Sequence, residues 1–139
     1  MTNAHDRVTA RVVPNAARAV LAGRLFGLHF PMRLEPTVFS IAGSLAKTYT
    51  GGYWHFYSLS NGGFVMAPHG TREFEVACPN GYTGTLSAEA LGIAACMYAF
   101  SQLSFDRGAF SEVCAEHFHW LRAFAVDHSE ASGILAACD

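Results

Sequence analysis

Residues 51–68 read GGYWHFYSLSNGGFVMAP, and this stretch decides the fold because it has the pattern of a β-hairpin. The aromatic run 53–59 predicts one strand, and 64–67 predicts its partner. Between them lies Asn61-Gly62, the strongest short signal for a tight primed turn, which requires positive φ at both central residues. A turn centred there predicts three cross-strand pairs: Leu59 with Phe64, Ser58 with Val65, and Tyr57 with Met66.

This register would place large apolar side chains on both faces of the hairpin. One face would carry His55, Tyr57, Leu59, Phe64 and Met66. The other would carry Trp54, Phe56, Ser58, Val65 and Ala67. Because neither face is polar, we expect other elements of the chain to cover both.

Two further strands are predicted around the hairpin. The range 9–13 predicts a short edge strand ending at Pro14, and 72–78 predicts a third strand with Phe74 and Val76 facing inward. Pro79-Asn80-Gly81 has turn chemistry and would end that strand.

Four to five helices are predicted on either side of the strands. Residues 16–28 have helical composition, with an apolar stripe of Ala17, Val20, Leu21, Leu25 and Leu28. Pro36 suits the first turn of a helix running to about residue 48, whose buried stripe would be Val38, Ile41, Ala42 and Leu45. The order of helices, antiparallel strands and helices predicts an α+β fold with a small β-meander.

The C-terminal half contains the strongest helical signals. Ser87 is a good N-cap for a helix over 88–103 that is apolar almost all round, which is typical of a central buried helix. Asp106 or Ser111 would cap an amphipathic helix ending near residue 126. A last short helix is predicted over 130–137.

Length and composition favour one domain over residues 1–139, with a flexible N-terminus allowed for over 1–12. Half of the chain, 51%, is hydrophobic, which suffices for a core without disulfide staples. The N-terminal sequence lacks the apolar stretch of a signal peptide, and the longest apolar run, 90–100, is too short to span a bilayer. We therefore expect a cytoplasmic protein with no membrane partner.

Charge is distributed unevenly along the chain. Residues 1–72 carry seven basic side chains and two acidic ones, whereas residues 73–139 carry nine acidic side chains and two basic ones. One alternative function is therefore nucleic-acid binding by the basic half, through Arg18, Arg24 and Arg33. DNA mimicry is disfavoured, because a duplex carries one charge per about 1.7 Å of axis and the whole chain has eleven acids.

The cysteines and histidines offer a weaker alternative, a cysteine- or metal-dependent hydrolase. Cys78 beside His55 or His69 is the obvious nucleophile–base pair, although no local motif marks it. Cys114 and His117 share a helix face, but a zinc site would need two more ligands. His117 is more simply a hydrogen-bonded core residue, and the four cysteines, at positions 78, 96, 114 and 138, are expected to be reduced and partly buried.

The hairpin string closely resembles the signature of the ArdB/KlcA family of plasmid antirestriction proteins. The resemblance continues through TGTLSAEALGIAACMYAFSQLSF (83–105) and HSEASGILAACD (128–139), and with more divergence through FGLHFPMRLEPTVFSIAGSL (26–45). Small departures occur at Pro36, Thr50 and Val65. The resemblance implies a small α+β protein of mobile elements that relieves host type I restriction, acting on the restriction system or an associated host factor. It implies no catalytic residues and no cofactor.

Exposed polar groups of the C-terminal helices are the candidate interaction surface. On the helix predicted to end near residue 126, the polar face would carry Glu112, Glu116 and His119. Three further acids would extend the area: Asp127, Glu130 and Asp139. Such a patch would suit docking to a basic, DNA-handling protein, and the alternative is an ordinary solvated helix face.

Overall fold

A computed structural model describes residues 7–139 of the chain. Strands occupy β1 Ala10–Val12, β2 Trp54–Leu59, β3 Phe64–Pro68, β4 Glu73–Ala77 and β5 Thr83–Ser87. Helices occupy α1 Arg18–Phe26, α2 Glu35–Leu45, α3 Ala88–Ser104, α4 Ala109–Ala125 and α5 Ala131–Cys138. A 3₁₀ turn at Asn15–Ala17 precedes α1, and a π-helical segment at Phe30–Leu34 leads into α2. The predicted α+β class and the N-terminal edge strand are confirmed.

The strands form two antiparallel sheets instead of one meander. In the first sheet β1 pairs with β2 and β2 with β3, and in the second β4 pairs with β5. The predicted third strand therefore exists as β4, but its partner is β5, a strand that was not predicted from the sequence. Residues 83–87 contain a single large apolar side chain, Leu86, so they lack the alternation that marks a strand.

The predicted register of the β2–β3 hairpin is wrong by one residue. Its loop has three residues, 60–62, and the amide N–H of Gly62 donates to the carbonyl of Leu59 at 3.0 Å. Within the loop 60–62 only Gly62 has positive φ, +98°, so the turn is of the three-residue class that ends in a left-handed glycine. Observed pairs are Ser58 with Phe64, Tyr57 with Val65, and Phe56 with Met66.

A one-residue change of register changes which side chains share a face. In the observed register Phe56, Phe64 and Met66 share one face. On this face the ring centre of Phe26 lies 5.5 Å from that of Phe64. The ring centre of Phe30 lies 5.3 Å from that of Phe56. The opposite face of β3 packs against α3 at Gly92, where a Cβ would lie 2.4 Å from the Cβ of Ala67. The expectation that both faces are covered is confirmed for β3, whereas on β2 His55 and Tyr57 are only half-buried.

The central helix is α3, as predicted. The hydroxyl of Ser87 accepts a hydrogen bond from the backbone N–H of Ala90 at 3.1 Å and so caps the helix. Most of its residues are buried, from Ala88 to Leu103, because it touches β3, α2, α4 and α5.

The first helix presents a different face from the one predicted. Ala22 and Phe26 point into the core, whereas Val20 is 72% exposed and Leu28, beyond the helix end, is 82% exposed. The helix is rotated by about one residue, roughly 100°, relative to the predicted stripe. The physical reason is Phe26, whose ring completes the aromatic cluster on the hairpin and outweighs burial of Val20.

The remaining helices follow the predicted patterns, with one exception at a cap. Helix α2 has Pro36 in its first turn and buries Val38, Ala42 and Leu45, while Ile41 is half-buried. The predicted caps of α4 are not made: Gly108 precedes the helix, the Ser111 hydroxyl donates to the Gly108 carbonyl, and Asp106 pairs with Arg33. Within residues 7–139, every helix is too short or too polar to cross a membrane.

Candidate functional site

The exposed face of α4 contains three of the six residues predicted for partner contact. Glu112, Glu116 and His119 follow one another at four and three positions, which places them on one helix face, and all three are exposed. The opposite side of the helix buries Cys114 and Leu121. We call Glu112, Glu116 and His119 the acidic stripe. Within residues 7–139 neither of its carboxylates forms a salt bridge, so both face solvent as acceptors.

The other three predicted acids differ in their surroundings. Asp127 is exposed and lies just after α4, so it can extend the acidic stripe. Asp139 is exposed and lies 3.7 Å from the guanidinium of Arg122. Glu130 is half-buried, and both of its carboxylate oxygens accept hydrogen bonds from Ser87.

Glu130 joins the start of α5 to the start of α3. One oxygen accepts the backbone N–H of Ser87 at 3.0 Å, and the other accepts its hydroxyl proton. The backbone N–H of Glu130 donates to Nδ1 of His128 at 2.9 Å, and Nε2 of that ring pairs with Glu89 in the first turn of α3. The Glu130 carboxylate is therefore occupied inside the protein, and its loss would disturb the N-cap of the central helix.

Two of the three arginines proposed for nucleic-acid binding are engaged within the molecule. The guanidinium of Arg18 lies 3.8 Å from the ring centre of Phe56, and its Nη1 donates to the carbonyl of Trp54 at 2.7 Å. Arg33 pairs with Asp106 and lies 5.1 Å from the ring of Phe110. Arg24 is exposed on α1. Asp106 offsets the charge of Arg33, and the contacts of Arg18 hold its guanidinium against the protein, so both are less available to phosphate than the sequence suggested.

The proposed cysteine–histidine pair is not assembled. His55 and His69 approach each other, with Nε2 and Nδ1 2.8 Å apart, while Cys78 lies beside Tyr98. Burial raises the pKa of the Cys78 thiol, against the effect of the Tyr98 hydrogen bond, and a raised pKa works against a thiolate nucleophile. All four cysteines are free thiols, buried or half-buried, as expected.

His117 is a core residue, as predicted, but its Nδ1 lacks the expected hydrogen bond. The side chain is 2% exposed and packs against the rings of Phe26, Phe100 and Trp120, at centre distances of 4.7, 5.4 and 5.0 Å. Within residues 7–139 no group bonds to Nδ1. Burial lowers the pKa of His117 to about 4 because charging the ring there is costly. In the same part of the chain, no three His, Cys, Asp or Glu side chains are arranged to hold a metal ion.

A groove beside α1 was not predicted from the sequence. Its volume is about 510 Å³, within the range of ligand pockets, and its walls include Ala19, Gly23, Phe30 and Phe56. Glu35 also lines it, and burial raises the pKa of this carboxyl against the opposing charge of Arg18. The small residues at 19, 22, 23 and 27 were the only sequence feature that could have indicated a groove. That Phe56 forms another wall could not be predicted, because it depends on packing between segments distant in sequence.

Comparisons with known proteins agree with this architecture. The model of the family described as antirestriction protein matches residues 47–139. Antirestriction protein KlcA of Escherichia coli is 38% identical over 141 residues, covering 99% of each chain. A second KlcA of that species is 42% identical over 111 residues, covering 78% of this chain and 76% of its own. The uncharacterized protein YafX of E. coli K12 is 34% identical, covering 95% and 88%.

A solved structure matches the whole fold, with a TM-score of 0.90, 37% identity and complete coverage of both chains. The KlcA and ArdB proteins of that structure are described as having a novel fold and antirestriction activity against type I DNA restriction systems in vivo but not in vitro. This chain therefore matches KlcA relatives in both sequence and structure over nearly its full length. It belongs to the antirestriction protein family.

Proposed function

We propose that this protein relieves host type I restriction of incoming DNA, in the cytoplasm, on behalf of a plasmid or another mobile element. It acts by non-catalytic contact with a protein partner, and the acidic stripe of α4 takes part in that contact. The main support for the proposal is the full-length structural match, at a TM-score of 0.90. The matched structure belongs to the KlcA and ArdB proteins, which are described as active against type I restriction systems in vivo.

The contrast between activity in vivo and its absence in vitro supports an indirect mechanism. A protein that bound the restriction enzyme alone would inhibit a purified reaction. Loss of the effect outside the cell fits a partner that the cell supplies and the reconstituted reaction lacks. We therefore favour a host factor associated with restriction over the restriction enzyme itself.

A protein contact explains the polar surface better than DNA mimicry does. Glu112 and Glu116 are four residues apart, so they are separated by about 6 Å along the helix axis. Duplex DNA carries one charge per about 1.7 Å of axis, which this stripe does not approach. Sparse carboxylates of this kind orient and accelerate encounter with a basic protein surface.

The alternatives are supported less well. Engagement of Arg18 by Trp54 and Phe56, and of Arg33 by Asp106, works against direct DNA binding. The raised pKa of Cys78, its contact with Tyr98 and the pairing of His55 with His69 work against hydrolysis. Neither alternative predicts that activity depends on the exposed face of α4.

The test is a plating assay with unmodified phage. Cells that carry a type I system should accept this phage more efficiently when they express the protein, while modified phage should plate equally with and without it. Equal plating of unmodified phage in expressing and non-expressing cells, with the folded protein present, would contradict the proposed function.

A further inference from the structure

His55 and His69 are placed side by side by strand pairing. His55 lies within β2 opposite Ala67, and Trp54 lies opposite Pro68, so His69 follows directly after the paired region. The backbone N–H of His69 donates to the carbonyl of Tyr53 at 2.8 Å, which extends the ladder by one bond. The two histidines are therefore diagonal neighbours, and backbone hydrogen bonds fix their Cα positions.

The ring nitrogens of the pair converge on one point. Nε2 of His55 and Nδ1 of His69 are 2.8 Å apart, and the ring centres are 5.0 Å apart. In neutral rings, one nitrogen must donate its proton to the other. In a different tautomer the protons sit on the outer nitrogens, and the two lone pairs face each other across the 2.8 Å gap.

That second arrangement is close to the geometry of a chelate. Zinc–nitrogen bonds of about 2.0–2.1 Å at a tetrahedral angle put two ligand nitrogens about 3.3 Å apart. The observed pair is about half an ångström closer than this, so binding an ion would require both rings to rotate, which would separate the nitrogens and turn their lone pairs toward the ion. His69 is exposed and His55 half-buried, so an ion can reach the site from solvent.

The surroundings permit a cation and leave the site open. The rings of Tyr53 and Tyr57 flank His55, at centre distances of 5.2 and 6.2 Å. The stretch 48–71 contains no Lys or Arg, and the nearby guanidinium of Arg18 lies over the Tyr53 ring at 5.0 Å. Because residues 7–139 hold no cluster of three ligand side chains, water or a partner would fill the remaining positions.

We propose that His55 and His69 form a two-histidine binding site for a late first-row divalent cation such as Zn²⁺ or Cu²⁺. Two imidazoles select such ions over Mg²⁺ and Ca²⁺, which prefer oxygen ligands. The competing explanation is a plain hydrogen bond between the rings that closes the end of the hairpin.

The test is isothermal titration of untagged protein with Zn²⁺, Cu²⁺ and Mg²⁺. His55→Gln and His69→Gln each remove one ligand and retain hydrogen-bonding capacity, so each should weaken Zn²⁺ binding about tenfold or more. His119→Gln is the matched control, since His119 is exposed on α4, and it should bind Zn²⁺ as the wild type does. Mg²⁺ should give no heat of specific binding.

The double variant His55→Gln/His69→Gln measures the background from thiols and other histidines, because it keeps all of them. Circular dichroism without metal shows whether each variant is folded. Zn²⁺ affinity in the folded double variant equal to that of the wild type would overturn the proposal. So would a loss as large in His119→Gln as in His55→Gln.

Discussion

Asn61 and Asn80 make the same pair of hydrogen bonds from the same position of two different hairpins. Their Oδ1 atoms accept the backbone N–H two residues later, from Gly63 at 3.1 Å and from Tyr82 at 3.0 Å. Their Nδ2 atoms donate to helix carbonyls, of Trp120 in α4 at 3.0 Å and of Ala136 in α5 at 2.9 Å. Each asparagine therefore shapes a turn and attaches that turn to a C-terminal helix.

Removing either asparagine side chain should lower the free energy of unfolding by about 1–2 kcal/mol, because two hydrogen bonds are lost. We expect this for Asn61→Ala and Asn80→Ala in urea denaturation. Asn→Asp at each position keeps the acceptor and removes the donor, so its loss should be intermediate if the charge stays solvated. Wild-type midpoints for both alanine variants would show that these bonds do not hold the helices.

Gly62 requires a left-handed backbone, at φ +98°. Gly62→Val should cost on the order of 1–3 kcal/mol, since a β-branched residue is strained there. Gly43→Ala is the control: it lies in α2, a Cβ there meets nothing within 4 Å, and helix propensity favours alanine. The melting temperature should fall for the first variant and hold or rise for the second; the reverse order would contradict the observed turn.

Burial of His117 predicts an acid-sensitive fold. Its pKa is lowered by burial to about 4, below the ordinary value near 6.5. The neutral ring therefore contributes its full stability above pH 6.5, and this contribution is lost as the pH falls towards 4, because only the unfolded chain takes up the proton. The loss should be on the order of 3 kcal/mol at pH 4.

The measurement is urea unfolding between pH 4 and 7.5 for wild type, His117→Phe and His119→Gln. A phenyl ring suits the cluster of Phe26 and Phe100 and does not titrate, so the phenylalanine variant should lose the extra dependence on pH. The control variant His119→Gln should keep this dependence of stability on pH, because His119 is exposed. Identical pH profiles for wild type and His117→Phe would show that folding does not shift the pKa of this ring.

Sequence patterns predicted the features whose causes are local. Ser87 as an N-cap, the apolar helix α3 and the exposed acidic stripe all follow from residues within a few positions of each other. The register of the hairpin did not, since Asn61-Gly62 is compatible with both two-residue and three-residue loops. The exposed face of α1 was assigned wrongly because the position of Phe26 depends on packing against Phe64.

The same distinction between local and long-range causes applies to the candidate site. The acidic stripe follows from helical spacing, whereas the interior role of Glu130 depends on Ser87, which lies 43 residues away. The contact between His55 and His69 likewise appears only once the strands are paired. Spacing along one helix is local information, and pairing between elements is not.

The acidic stripe can be tested without disturbing the fold. Glu112→Lys/Glu116→Lys reverses two exposed carboxylates, and such surface changes usually alter stability by about 0.5 kcal/mol or less each. Glu130 is left unchanged, because a lysine there would remove both acceptors of Ser87. Glu73→Lys/Glu75→Lys makes the same charge change on the exposed face of β4 and serves as the matched control.

The most direct measurement is the plating efficiency of unmodified phage on cells with a type I system, comparing wild type with these two folded double variants at equal expression. We predict that the wild type and Glu73→Lys/Glu75→Lys restore plating, and that Glu112→Lys/Glu116→Lys does not. Full restoration by Glu112→Lys/Glu116→Lys would contradict the account and place the partner contact on another surface.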